Sequence, residues 1–273
     1  IKACSHPIEK VPMATSNPAF SRSLAFSPSN VATPDARELD ELFSRPSASS
    51  TSTGRMTYED TIMKTLIAFG VLVAGALVGW VFPVLAIPGL IVGLVLAMVN
   101  IFKKKPSRGL ILAYAGFEGL FVGGISAIFN QMWEGIVTQA VFGTLAVIGV
   151  TLFLFLSGKF RTSARMTRIV TIAMVGYLVF SLVNFGLMTF GATSGMFGLR
   201  SMEIFGIPLG VILGIVVVFL AAYSLVMDFE SIKEGVEKGA PRVYGWQAAF
   251  GIMVTVVWLY VEILRLLAIL RGE

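Results

Sequence analysis

From Thr57 onward the chain alternates long apolar runs with short polar or glycine-bearing stretches, and the runs fall at about 61–82, 85–102, 109–130, 135–157, 169–191, 206–229 and 246–270. Each approaches the ~20 residues that an α-helix needs to cross a hydrocarbon core of ~30 Å. A helix satisfies its own backbone hydrogen bonds there, which an irregular chain cannot do. The pattern predicts an all-α integral membrane protein, with a seven-transmembrane-helix bundle over 57–273.

Residues 1–56 read differently. They hold the Ser/Pro-rich pieces FSPSNVATPDAR and SRPSASSTSTG, no long apolar run and nearly balanced charge. Such a segment buries too little apolar surface to offset its conformational entropy, so a disordered cytoplasmic tail is expected, with a transient helical turn or two at DARELDELF. No apolar signal-peptide core follows a basic start. Because Met13 opens MATSNPAF, the native start is expected there, with residues 1–12 a tag or an upstream mis-start.

Composition agrees with the pattern: 56% of residues are hydrophobic and 14% charged, with a mean hydropathy of +0.83, outside the range of ordinary globular domains. Charge then orients the bundle. If the tail is cytoplasmic, the inner connections carry Lys103, Lys104, Lys105, Arg108, Lys159, Arg161, Arg165, Arg168, Lys233, Lys238 and Arg242, and the outer ones carry Arg200 alone. That asymmetry predicts a multi-pass protein of the plasma (inner) membrane with a cytoplasmic N-terminus. It also accounts for the pI near 9.4 as topology, with no nucleic acid partner needed. Lys103, Lys104, Lys105 and Arg108 are expected to anchor to anionic lipid. Seven spans place the C-terminus outside, unless the last segment re-enters.

The chain has one Cys and one His. Cys4 and His6 both lie in the tail, which argues against disulfides, structural zinc and haem ligation, and no cofactor is expected. The candidate chemistry lies instead in the few ionisable residues inside the runs, because such groups are costly at that depth and mark ion or proton pathways. They are Glu118, Asp228, Glu262 and Arg265, beside Lys64, which can snorkel.

Glu118 lies in AYAGFEGLFVGGIS, where Gly119 and Gly123 form a small-xxx-small pair suited to close helix packing. It either lines a pathway or is a buried, hydrogen-bonded acid of a packing face. Asn184 is its candidate partner, or else an independent interhelical hydrogen bond. Asp228 ends the sixth run. Glu262 and Arg265, three positions apart in the last run, either form a local ion pair that lets a helix keep two charges or belong to a titrating site.

The pieces MDFESIK and WLYVEILRLL, separated by a basic loop, resemble the last two membrane segments of the Bax inhibitor 1 superfamily, the transmembrane BAX inhibitor motif proteins, and especially its bacterial members. The likeness spans about 57–272 and includes the KKKPSRG loop and FEGLFVGG. It implies a pH-sensitive calcium or cation leak channel in which Asp228 and Glu262 share a proton as a latch, with transient calcium as the transported ion and these two acids as its ligands. Two carboxylates brought together in a low-dielectric site cannot both ionise cheaply, so one proton between them can bias a two-state helix arrangement. Hard carboxylate oxygens suit Ca²⁺.

The chain departs from the family pattern at three points. Glu stands at 262 where many relatives carry Asp, Arg265 stands where the residue is often uncharged, and thirty-four residues separate Asp228 from Glu262. With that spacing the pair meets only if both helices project into the cytoplasm, with KEGVEKGAPRVYG a raised turn broken at Gly235, Gly239 and Pro241. Arg265 then tunes the pair or locks it.

Other classes fit less well. No glycine-flanked aspartate of an intramembrane aspartyl protease, no HExxH and no triad histidine outside the tail is present, so no enzyme activity is expected. A proton-coupled carrier is an alternative, with Pro208 supporting a broken sixth helix. A further alternative is a non-transporting regulator that binds other membrane proteins such as a membrane protease, for which the tail and glycine-rich helix faces are suited.

Overall fold

The computed structural model describes residues 54–158, 162–193 and 195–272. The tail residues 1–53, with Cys4, His6 and DARELDELF, lie outside the described residues, as do Lys159 and Arg161. Seven helices long and apolar enough to cross a membrane follow in chain order: α1 (Tyr58–Val81), α2 (Ala86–Phe102), α3 (Arg108–Met132), α4 (Ile136–Leu156), α5 (Ala164–Thr189), α6 (Leu209–Glu237) and α7 (Tyr244–Gly272). Every predicted run is one of these helices.

Where boundaries differ from the hydropathy pattern, a local polar device sets them. Thr57 caps α1 by accepting from the amide of Asp60 at 3.1 Å. Ser163 caps α5 at the amide of Met166, 3.2 Å away, so that helix starts five residues before its apolar run, taking in Arg165 and Arg168. The sixth helix does not break at Gly235. It continues to Glu237 and is closed only by Gly239, whose φ is +65°. Exposed i,i+4 pairs, Lys233 with Glu237 and Lys238 with Glu234, support that last stretch. Pro208 breaks no helix either. It ends a two-residue strand, β2 (Ile207–Pro208), paired with β1 (Glu203–Ile204), and α6 begins after it.

The ladder of connections gives the bundle two ends. At the near end are the start of α1, the 103–107 loop and the α6–α7 turn. At the far end are the α3–α4 loop, the long α5–α6 connection and the last turn of α7. Arg271 donates to the carbonyl of Glu134 at 2.9 Å, so α7 runs through the whole bundle and ends at the far end, with no re-entry. At the near end the chain before α1 pairs with the α6–α7 turn, Met56 N donating to Ala240 O at 2.7 Å and Arg242 N to Gly54 O at 2.8 Å. Arg242 bonds Asp60 at 2.7 and 2.9 Å. Lys64 does not snorkel: it is buried, pairs with Asp60 and donates to the carbonyl of Arg242 at 2.6 Å.

Burial ranks the helices. Half of the spans of α3 and α7 is buried, against 11% for α2 and α5. α7 packs against α1, α3, α4 and α6, so it is the axis around which the others stand. The charged residues of the last run therefore face protein, as a lipid-facing helix could not tolerate. The glycine pair in α3 does what its spacing predicts. A Cβ at Gly123 would lie 1.9 Å from the carbonyl oxygen of Ala76, and one at Gly119 2.2 Å from that of Leu72, so the backbones of α1 and α3 touch with no side chain between them.

That contact is testable by thermal unfolding in detergent. Gly123→Val is expected to lower stability by about 1–3 kcal/mol, the usual effect of overpacking. Gly176→Ala, at a site with no neighbouring atom within 4 Å, is expected to leave the melting temperature unchanged or slightly raised. Equal melting of the two variants would contradict the packing.

Candidate functional site

Glu262 sits on the buried side of α7 with 2% of its surface exposed. Its Oε1 accepts from the guanidinium of Arg265, one helical turn on, and from the hydroxyl of Tyr177 on α5. Arg265 Nη1 also reaches the Tyr177 oxygen at 3.1 Å. The i,i+3 ion pair anticipated as one of two readings is therefore present.

A second cation completes the cluster, and it comes from a loop. Arg200 lies in the short 3₁₀ turn Gly198–Ser201 of the α5–α6 connection and is only 4% exposed. Its Nη2 donates to Tyr177 Oη at 2.7 Å and to Ser181 Oγ at 3.2 Å. Its Nη1 stands 3.6 Å from Glu262 Oε2. That distance makes an ion pair but not a hydrogen bond, and Oε2 has no hydrogen-bond partner among the described residues. The guanidinium stacks over the rings of Tyr177 and Phe180, 5.2 and 5.7 Å from their centroids, a cation–π arrangement that strengthens when desolvated.

Local structure holds Arg200 in place. Asn184 on α5 accepts from the amide of Leu199 at 2.7 Å and donates to the carbonyl of Phe197 at 3.2 Å. Gly198 has φ +61°, and a Cβ there would fall 2.4 Å from Asn184 Oδ1. The loop thus turns inward only because a glycine stands beside the asparagine. Asn184 is not the partner of Glu118; its side chain is used up in clamping this loop.

Asp228 does not meet Glu262. Its Oδ2 accepts from Thr255 Oγ1 at 2.7 Å, and on α7 the glutamate lies seven residues further on, about 10 Å along the axis at 1.5 Å per residue. The two helices do project together, each 29 residues long. Their antiparallel register nevertheless sets Asp228 against Gly251 and Thr255, and Gly214 against Leu266. The proton-sharing pair, and with it a calcium site built on both carboxylates at once, is therefore not formed. No group of three or more His, Cys, Asp or Glu side chains that could hold a metal ion occurs among the described residues.

The acids open onto different spaces. Asp228 lines a near-end cavity of about 460 Å³ with Asn100, Ser231, Tyr244 and Gln247. Glu262, Arg200 and Arg265 line a larger one of about 1000 Å³ between α5 and the α6–α7 pair, which Thr255 also borders. Thr255 therefore stands between the two spaces.

Glu118 is half-buried and turned toward α2, where a Cβ on Gly93 would come within 2.9 Å of its Oε2. It has no hydrogen-bond partner among the described residues and does not line the α5–α7 cavity. Of the basic anchors, Lys103, Lys104 and Lys105 are exposed at the near end, and Arg108 stacks over Trp246, 5.4 Å from the ring centroid.

Sequence reasoning missed Arg200, Tyr177 and Thr255. Arg200 had a signal, as the one basic residue on the side where the charge asymmetry calls for none. Tyr177 is the only tyrosine in its run, a weaker sign. Thr255 had none.

Among curated proteins no match is found. The family described as Bax inhibitor 1 like matches residues 17–272, so the likeness extends well into the Ser/Pro-rich stretch rather than starting at residue 57. With seven membrane-spanning helices and a match over nearly its whole length, this chain belongs to the Bax inhibitor 1 like family.

Proposed function

We propose that this protein is a leak pathway for calcium or related cations across the plasma membrane, held closed by Arg200 on Glu262. The observation that carries this reading is the loop-borne guanidinium inserted from the far end against a carboxylate in the bundle interior. The charge asymmetry of the connections supports an N-terminus, and hence a near end, on the cytoplasmic side, with Lys103 to Arg108 against anionic lipid.

The acids act in series rather than as a pair. Asp228 serves the near-end cavity and Glu262 the interior one, with the Thr255 hydroxyl between them. In the closed state Glu262 is neutralised by Arg200 and Arg265, which leaves a passing cation no free carboxylate in the interior cavity. Withdrawal of the 198–201 turn removes one of the two cations and exposes Glu262 Oε2, the oxygen that lacks a hydrogen bond. A hard oxygen so exposed suits a calcium ion shedding part of its hydration.

The pH response is assigned to Asp228. No cation faces it among the described residues, and its one partner is a neutral hydroxyl, so protonating it strands no buried guanidinium. Protonation removes the negative charge of the near-end station, and flux is therefore expected to fall as pH falls. The same chemistry gives no role to a bound cofactor or to catalysis.

Calcium entry into liposomes containing the purified protein tests these assignments. Arg200→Gln is expected to raise flux roughly tenfold, the effect of removing about 1.4 kcal/mol of bias toward the closed state. Asp228→Asn is expected to give low flux that no longer varies between about pH 8 and about pH 5, because the titrating carboxylate has been replaced by a neutral amide. Flux equal to that of protein-free liposomes at every pH, in wild type and in Arg200→Gln alike, would overturn the leak reading and favour a non-transporting regulator of membrane proteins.

A further inference from the structure

The cavity beside Glu262 carries an unbalanced charge. Its described lining holds two guanidiniums, Arg200 and Arg265, against the single carboxylate of Glu262. The two cations differ in what they have left to give. Arg200 is fully enclosed and uses both terminal nitrogens on Tyr177, Ser181 and Glu262. Arg265 bonds only through Nη1, its other nitrogens have no protein acceptor among the described residues, and about a quarter of its side chain, 27%, is exposed. An unspent guanidinium face at membrane depth is a strong attractor for an anion.

The rest of the cavity is apolar and elongated. α5 is secured near its start, where Thr167 bonds Tyr223 at 3.2 Å, and near its end by the Asn184 clamp. Between those points it packs little against α7. The lining on α5 runs from Thr171 to Met188, about 26 Å at 1.5 Å per residue. Four methionines, Met174, Met188, Met196 and Met227, border it, giving walls that adapt to a flexible chain.

We propose that this slot binds a long-chain fatty acid anion, its carboxylate on the free face of Arg265 and its chain along Met174, Leu178 and Trp258. Depth selects this class over a phospholipid. Arg265 lies six residues inside Arg271, about 9 Å along the helix, so its free face is reached from within the apolar stretch of α7, which a single-chain carboxylate enters at lower cost than a bulky phosphodiester headgroup. The proposal rests on the charge and shape of the slot and not on ion flux, so it stands or falls separately from the leak reading.

Trp258 borders the slot and reports its occupancy. The probe is dibromostearate, whose bromines quench nearby indole fluorescence, added to purified protein in uncharged lipid nanodiscs. Saturable quenching is expected in the wild type and not in Trp258→Phe. Arg265→Gln is expected to weaken it at least roughly tenfold, and Arg265→Lys far less. Val175→Phe, which fills the slot without touching the ion cluster, is expected to abolish it while melting stays unchanged. Equal saturable quenching by the brominated alcohol of the same length or by brominated phosphatidylglycerol would overturn the assignment. So would dibromostearate quenching that Arg265→Gln and Val175→Phe both leave intact.

Discussion

A carboxylate enclosed in the middle of a helical bundle must be met by positive charge, and the way Glu262 is met shapes much of this molecule. Breaking a buried pair by removing one partner commonly costs about 3–5 kcal/mol, because the remaining charge is left uncompensated. One cation, Arg265, comes from the same helix at the cost of a single turn. The other has to be carried in from the far end, and the 195–208 part of the α5–α6 connection is folded to do so. Its inward turn needs the left-handed Gly198, the Asn184 clamp and the small Gly210, where a Cβ would come within 3.1 Å of Arg200 Cβ and 2.4 Å of Ile269. Tyr177 joins the three charges by accepting from both guanidiniums while donating to the carboxylate. The same requirement places α7 at the axis, packed against four of the other helices.

The long α6–α7 hairpin separates the two acids that the family resemblance brought together. Six residues connect the helices, Gly239 alone ends α6, and the near-end anchors Asp60, Lys64 and Met56 hold the turn against α1. With the turn fixed, the register follows, and it pairs Asp228 with Thr255 rather than with Glu262. Asp228 on α6 and Glu262 on α7 are offset by about 10 Å along the α7 axis, and that offset keeps them from forming a shared-proton site. The interior acid is met by two guanidiniums and the near-end one by the Thr255 hydroxyl.

The fold was largely legible from the chain. Apolar runs of bilayer length have one solution in lipid, and only the ends, set by Ser163, Gly239 and the 233–238 ion pairs, escaped a hydropathy pattern. The Gly119 and Gly123 spacing likewise announced a helix contact. The site was legible in part. Glu262 and Arg265 stood out because charge in a membrane run demands an explanation, and their local pairing follows from helix geometry. Their partners did not stand out, since Tyr177 and Arg200 reach Glu262 across 85 and 62 positions of sequence, and only the packing of α5 and its loop brings them in. Asp228 was expected beside Glu262, whereas the structure sets it against Thr255, because helix register depends on the turn rather than on any pattern within the helices.

Arg200 and Glu262 stand as an ion pair inside the bundle. A double-mutant cycle on thermal unfolding in uncharged detergent, with Arg200→Gln, Glu262→Gln and the two combined, measures their coupling directly. The expected result is that the double variant is more stable than the sum of the single losses allows, by at least about 1 kcal/mol, because Glu262→Gln alone strands a guanidinium that the second substitution removes. Additive losses, with no coupling beyond error, would show that Arg200 does not hold Glu262 in the folded bundle.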